Sequence, residues 1–135
     1  MKSKIIIVLA VFTIFFSCKN EVREEVKPIV ENSKTTEIEL IQFHTEHRCI
    51  TCNNIEKLSK ETIKGNEVIS FVLYNVDDEK NAKVAEQFEA TGTSLYLYNS
   101  KTKAIKDLTE MAFMYAKTEG DKFKTELQKE ISTFK

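Results

Sequence analysis

The segment that most restricts the fold is Glu67-Val-Ile-Ser-Phe-Val-Leu-Tyr-Asn-Val76, a near-continuous apolar run with no two-residue alternation. Such a run suits a strand buried on both faces, as in a parallel or mixed sheet flanked by helices. The neighbouring patterns agree. Ile38, Leu40, Ile41 and Phe43 predict a strand over residues 37–44. Ile55, Leu58 and Thr62/Ile63 share one face of a helix that Gly65 stops. Asp77 or Asp78 caps a second helix carrying Ala82, Ala85 and Phe88 and ending near Gly92. Ser94–Tyr98 and Lys103–Leu108 read as strands joined by the Asn99-Ser-Lys-Thr102 turn. A short helix over Glu110–Lys117 is interrupted at Gly120, and Phe123, Leu127, Ile131 and Phe134 mark an amphipathic C-terminal helix. The predicted class is α/β, in the order β-α-β-α-β-β-α.

The chain starts differently. Lys2 and Lys4 precede an apolar run from Ile5 to Phe16. As a helix this run reaches roughly 18 Å, short of the ~30 Å hydrocarbon core, so a secretory signal is expected rather than a stable span. It ends Phe15-Phe16-Ser17-Cys18, which resembles a bacterial lipobox although Phe15 stands where Leu is common. That resemblance implies a lipoprotein signal peptide over residues 1–17 and lipid attachment at Cys18. Residues 18–36, with Glu21, Glu24, Glu25 and Glu31 and the single proline Pro28, read as a flexible acidic tether. The globular domain is then 37–135. With 135 residues the chain suits one such domain. A net charge of -1 provides no basic field for nucleic acid, and three cysteines cannot make a disulfide-dense scaffold.

Cys49 and Cys52 fall between the first strand and the first helix. At that point free backbone N–H groups and the helix dipole favour a thiolate on Cys49. Cys52, one turn on, can close a disulfide with it. His47 and Arg48 add positive charge beside Cys49 and are expected to lower its pKa further.

The motif, its strand–helix context and the element order together resemble the thioredoxin fold. With the exported start, the chain is similar to envelope thioredoxin-like lipoproteins of Bacteroidetes. Phe43–Cys49 resembles the segment before that family's active site, and Asn75-Val76-Asp77 the end of one of its central strands. Gly92-Thr93-Ser94-Leu95 resembles the segment that normally faces the cysteines with a cis-proline. The resemblance implies a central mixed sheet flanked by helices and a thiol–disulfide oxidoreductase in which Cys49 attacks a partner disulfide and Cys52 resolves the adduct. His47, Arg48, Thr93 and Ser94 would support the pair. It implies protein thiols and disulfides as partners, a membrane contact through Cys18, a monomer, a place in the cell envelope, and no cofactor. Three features depart from the family. Ser94 stands at the proline position, Arg48 replaces the usual Trp, and Gln42 and Leu73 replace the buried acid and its lysine partner. The Ser94 hydroxyl is expected to lie near the cysteines and donate to a thiolate.

Other uses of these residues stay open. His44, His47, Cys49 and Cys52 offer two imidazoles and two thiolates, enough for a tetrahedral zinc or copper site and a metal-delivery role. A structural disulfide that never turns over is the blander possibility. Glu46 reads as an acid or base or as a solvated loop residue. Tyr96 and Tyr98 read as a sheet face. Met111, Phe113, Met114 and Tyr115 read as a docking patch or as packing on the sheet.

Overall fold

The computed structural model describes residues 36–134. The expected signal peptide, Cys18 and all of the tether except Thr36 lie outside the described residues. Strand β1 (Ile38–His44) leads through helix α1 (Ile50–Ile63) to strand β2 (Ile69–Asn75). A 3-10 turn (Glu79–Asn81) runs into helix α2 (Ala82–Gln87). Strands β3 (Ser94–Asn99) and β4 (Ile105–Asp107) follow, then helices α3 (Thr109–Tyr115) and α4 (Gly120–Thr133). The four strands form one mixed sheet in the order β2-β1-β3-β4. β1 pairs parallel with β2, Ile38 opposite Ile69, and antiparallel with β3, Phe43 opposite Ser94. The β3–β4 hairpin is antiparallel. This is the thioredoxin-like α/β arrangement that the sequence implies.

Strand alternation sorts the side chains into two cores. Leu40, Leu95 and Leu97 join Ile55 of α1 and Phe123 and Leu127 of α4 on one face. Ile41, Phe43, Val72 and Tyr96 join Ala85 and Phe88 on the other, where α2 covers the sheet. Phe43 and Phe88 stand at the centre of an aromatic cluster, with Tyr74 and Tyr96 at ring-centroid distances of 5.3–5.9 Å. α1 and α4 meet closely at Gly120, where an added Cβ would sit 3.3 Å from Leu58 Cδ2.

The apolar run is less buried than expected. β2 is an edge strand, and only Ile69 and Val72 of it are buried. Both of its faces carry apolar groups, with Phe71 packed on the first core and Tyr74 on the second. With a neighbouring strand on one side only, most of these side chains stay half-exposed. The inner strands β1 and β3 hold the deeper positions.

Candidate functional site

The site forms where β1 ends and α1 begins. Cys49 is the N-cap of α1, with extended backbone at φ −80° and ψ 168°. Its Sγ takes the role that a Ser or Asp oxygen plays at most helix starts and accepts the Cys52 N–H at 3.5 Å. Cys49 is exposed and Cys52 buried, and both are free thiols. The Cys52 N–H holds the Cys49 thiol below its ordinary pKa, against an opposing effect of burial, with further donation from Thr51. A thiol lowered in this way is a thiolate over a wider pH range.

The charges flanking the motif contribute differently from the expectation. Arg48 is turned away into an ion pair with Glu56, one turn and more into α1, at 2.6 Å. Glu56 also pairs with Lys60. His47 is exposed, and its carbonyl accepts the Thr45 hydroxyl at 3.0 Å. Neither side chain is among the groups that lower Cys49; the backbone N–H groups at the start of α1 are.

Cys52 is 1% exposed and its Sγ lies 2.7 Å from Thr93 Oγ1. Gln42, fully buried on β1, donates its Nε2 to the Cys52 carbonyl at 3.0 Å. Its Oε1 has no hydrogen-bond partner among the described residues. The site therefore has an amide behind Cys52 where the thioredoxin resemblance would place a carboxylate.

Ser94 differs from the expectation by one residue of register. Successive strand residues face opposite sides, and Ser94 precedes Tyr96 and Tyr98 by two and four positions. Those tyrosines pack on the α2 side, away from α1. The Ser94 hydroxyl donates to the Gly92 carbonyl at 3.4 Å, and the hydroxyl that reaches a cysteine belongs to Thr93. The peptide bonds here are trans, since none among the described residues is cis.

The loop before Cys49 is braced from β2. Glu46 N donates to Asp77 Oδ2 at 2.7 Å, and Asn75 Nδ2 donates to Glu46 Oε2 at 2.9 Å. Glu46 thus serves as a loop tie. His44 donates Nδ1 to the Thr45 carbonyl at 2.8 Å. Among the described residues no three His, Cys, Asp or Glu side chains come together as metal ligands, so His44, His47, Cys49 and Cys52 are not assembled into the tetrahedral set considered above. On the other flank, Asn54 of α1 donates to the Ala116 carbonyl at 3.1 Å, which fixes the end of α3 beside the start of α1. Met111 and Tyr115 pack on the core, while Phe113 and Met114 are exposed. Ile50, next to Cys49, is 75% exposed.

Sequence reasoning missed Glu56 as the partner of Arg48 and Asn54 as the tie to α3; both are ordinary polar residues on a helix surface. No protein-family model matches the chain. No curated protein is significantly similar to it in sequence. Among solved structures, a malarial protein is similar at 20% identity over 58% of this chain and 94% of its own, with a TM-score of 0.42. Human ERp44 in its zinc-bound form is similar at 11% identity over 67% of this chain, with a TM-score of 0.43; the chain spans 26% of that structure. Both are likenesses of fold alone.

Proposed function

We propose that the protein is a thiol–disulfide oxidoreductase working through Cys49 and Cys52. The observation that carries this is the pairing of unlike thiols. One is exposed, at a helix N-terminus and stabilised as a thiolate by the Cys52 N–H; the other is buried three residues on. Cys49 Sγ attacks one sulfur of a partner disulfide, and the partner's other sulfur leaves as a thiolate. Cys52 then attacks Cys49 Sγ, the mixed disulfide breaks, and the partner departs reduced while a Cys49–Cys52 disulfide forms. The reverse sequence oxidises a partner. Location in the cell envelope, on a lipid anchor at Cys18, is part of the proposal and rests on the charged start, the apolar run and the Ser17-Cys18 junction.

Trapping tests the chemistry. Cys52→Ser is expected to accumulate mixed disulfides through Cys49 with envelope partners, because attack proceeds and resolution does not. Cys49→Ser is expected to trap none. Equal trapping by the two variants, or none by either, overturns the proposal. The reduction potential of the pair then gives direction. A value near the ~-270 mV of thioredoxin indicates a reductase, and one near ~-120 mV an oxidant.

A further inference from the structure

Resolution requires negative charge to develop on the sulfur of Cys52, which is 1% exposed. Charge on a buried atom is costly unless a hydrogen-bond donor meets it. A carboxylate nearby would serve by accepting the thiol proton, but the side chain behind Cys52 is the amide of Gln42, which cannot take a proton at neutral pH. Its Nε2 is also spent on the Cys52 carbonyl rather than on the sulfur. Among the described residues, the polar partner of Cys52 Sγ is Thr93 Oγ1 at 2.7 Å. A hydroxyl is both acceptor and donor and rotates between the roles. It accepts S–H from the resting thiol and donates O–H to the sulfur as charge appears.

We infer that Thr93 is a catalytic residue for the resolving step. It stabilises the attacking sulfur of Cys52 with its hydroxyl, in place of proton removal by a carboxylate. The inference rests on the redox function proposed above. The step balances without a further reactant. Cys52 Sγ bonds to Cys49 Sγ, the bond from Cys49 Sγ to the partner sulfur breaks, and the departing partner thiolate receives the proton that Cys52 gives up. Nothing in the sequence pattern singles out Thr93 over Ser94; strand parity does. Thr93 precedes Leu95 and Leu97 by two and four positions, and those residues face the α1 side.

The experiment separates the two halves of the reaction. The full chain carrying Cys18→Ala, reduced and free of excess thiol, is mixed with one equivalent of the chromogenic disulfide dithio-bis-nitrobenzoate. The first nitrothiobenzoate released reports attack by Cys49, and the second reports resolution by Cys52. With Thr93→Val the first release is expected to keep its rate and the second to slow about tenfold, the loss for one hydrogen bond to a charged group. Thr93→Ser, which keeps the hydroxyl, is expected to return most of the lost rate. Thr93→Ala serves in place of Thr93→Val if circular dichroism shows that valine disturbs the fold. An unchanged or faster second release without the hydroxyl overturns the inference, as does a Thr93→Ser variant as slow as Thr93→Val. Failure of the underlying redox function looks different: the Thr93 protein itself releases one equivalent, stays as the mixed adduct, and both conclusions fall.

Discussion

At the scale of the residue, the chemistry of Cys49 comes from backbone rather than from side-chain charge. The N-cap position delivers the Cys52 N–H to its sulfur, whereas Arg48 spends its charge on Glu56. Arg48→Met is therefore expected to leave the midpoint of Cys49 alkylation by iodoacetamide where it is, below the ordinary thiol value. A rise of the midpoint toward that value would show that the guanidinium matters after all. Gln42 is the second residue with a separable role. Among the described residues its buried Oε1 has no partner, at a cost of roughly 1–3 kcal/mol, against about 1 kcal/mol gained by the bond from Nε2. Methionine has a similar length and packs into irregular space. Gln42→Met is expected to raise stability by about 1 kcal/mol, or roughly 5 °C in Tm. A thermal melt showing an equal or larger loss would mean that the amide is needed to hold the start of α1.

At the scale of the element, the end of α1 depends on a single backbone angle. Lys64 (φ −57°, ψ 124°) and Gly65 (φ +80°) form a type II turn closed by Asn66 N–H to the Ile63 carbonyl at 2.9 Å. No atom lies within 4 Å of where a Cβ on Gly65 would be, so a side chain meets no clash and the penalty is purely conformational. Gly65→Ala is expected to cost about 1–2 kcal/mol and Gly65→Asn less, because Asn tolerates the left-handed region better. Urea melts rank the three proteins, and an alanine variant as stable as the parent would remove the turn from the account. This stop was legible in the sequence, as were the strands, most of the helices and the position of the cysteine pair, because each is marked by local periodicity or a turn residue. The second helix was not, since it opens as a 3-10 turn and stops at Gln87 rather than near Gly92, with Glu89 in the left-handed region at φ +52°. Nor was depth within the sheet. The apolar residues at both parities of β2 report cover on two faces, but not how many strands lie beside it. The choice between Thr93 and Ser94 failed for a related reason. Tyrosines and leucines alternate along β3, and only the packed structure shows that α1 and α4 take the leucine face.

At the scale of the molecule, the site and both cores are held by one cooperative unit. β1 supplies Leu40 to one core and Ile41 and Phe43 to the other, so neither face of the sheet can open without exposing the same strand. The first core also joins distant parts of the chain, from Leu40 on β1 to Leu127 on α4. Thr36, the first described residue, is already tied to β2 through its hydroxyl and that of Ser70, 2.7 Å apart. Among the described residues, the hydrogen bonds of Cys49, Cys52, Thr93, Gln42 and Asn54 at the site run between β1 and the end of α3. A domain of about 100 residues buries enough surface to fold alone. A chain beginning at Thr36 is thus expected to unfold in one transition with a urea m-value of about 1 kcal/mol/M, at a midpoint within error of the longer chain. Its Cys49 should alkylate at an unchanged rate, since among the described residues the groups that lower this thiol are the backbone N–H groups of Cys49, Thr51 and Cys52 and the Thr51 hydroxyl. A drop in midpoint worth more than about 1 kcal/mol, or a broad transition, would assign part of the fold's stability to residues 1–35. A normal melt with slower alkylation would instead separate the fold from the site, and show that the preceding chain acts on Cys49 directly.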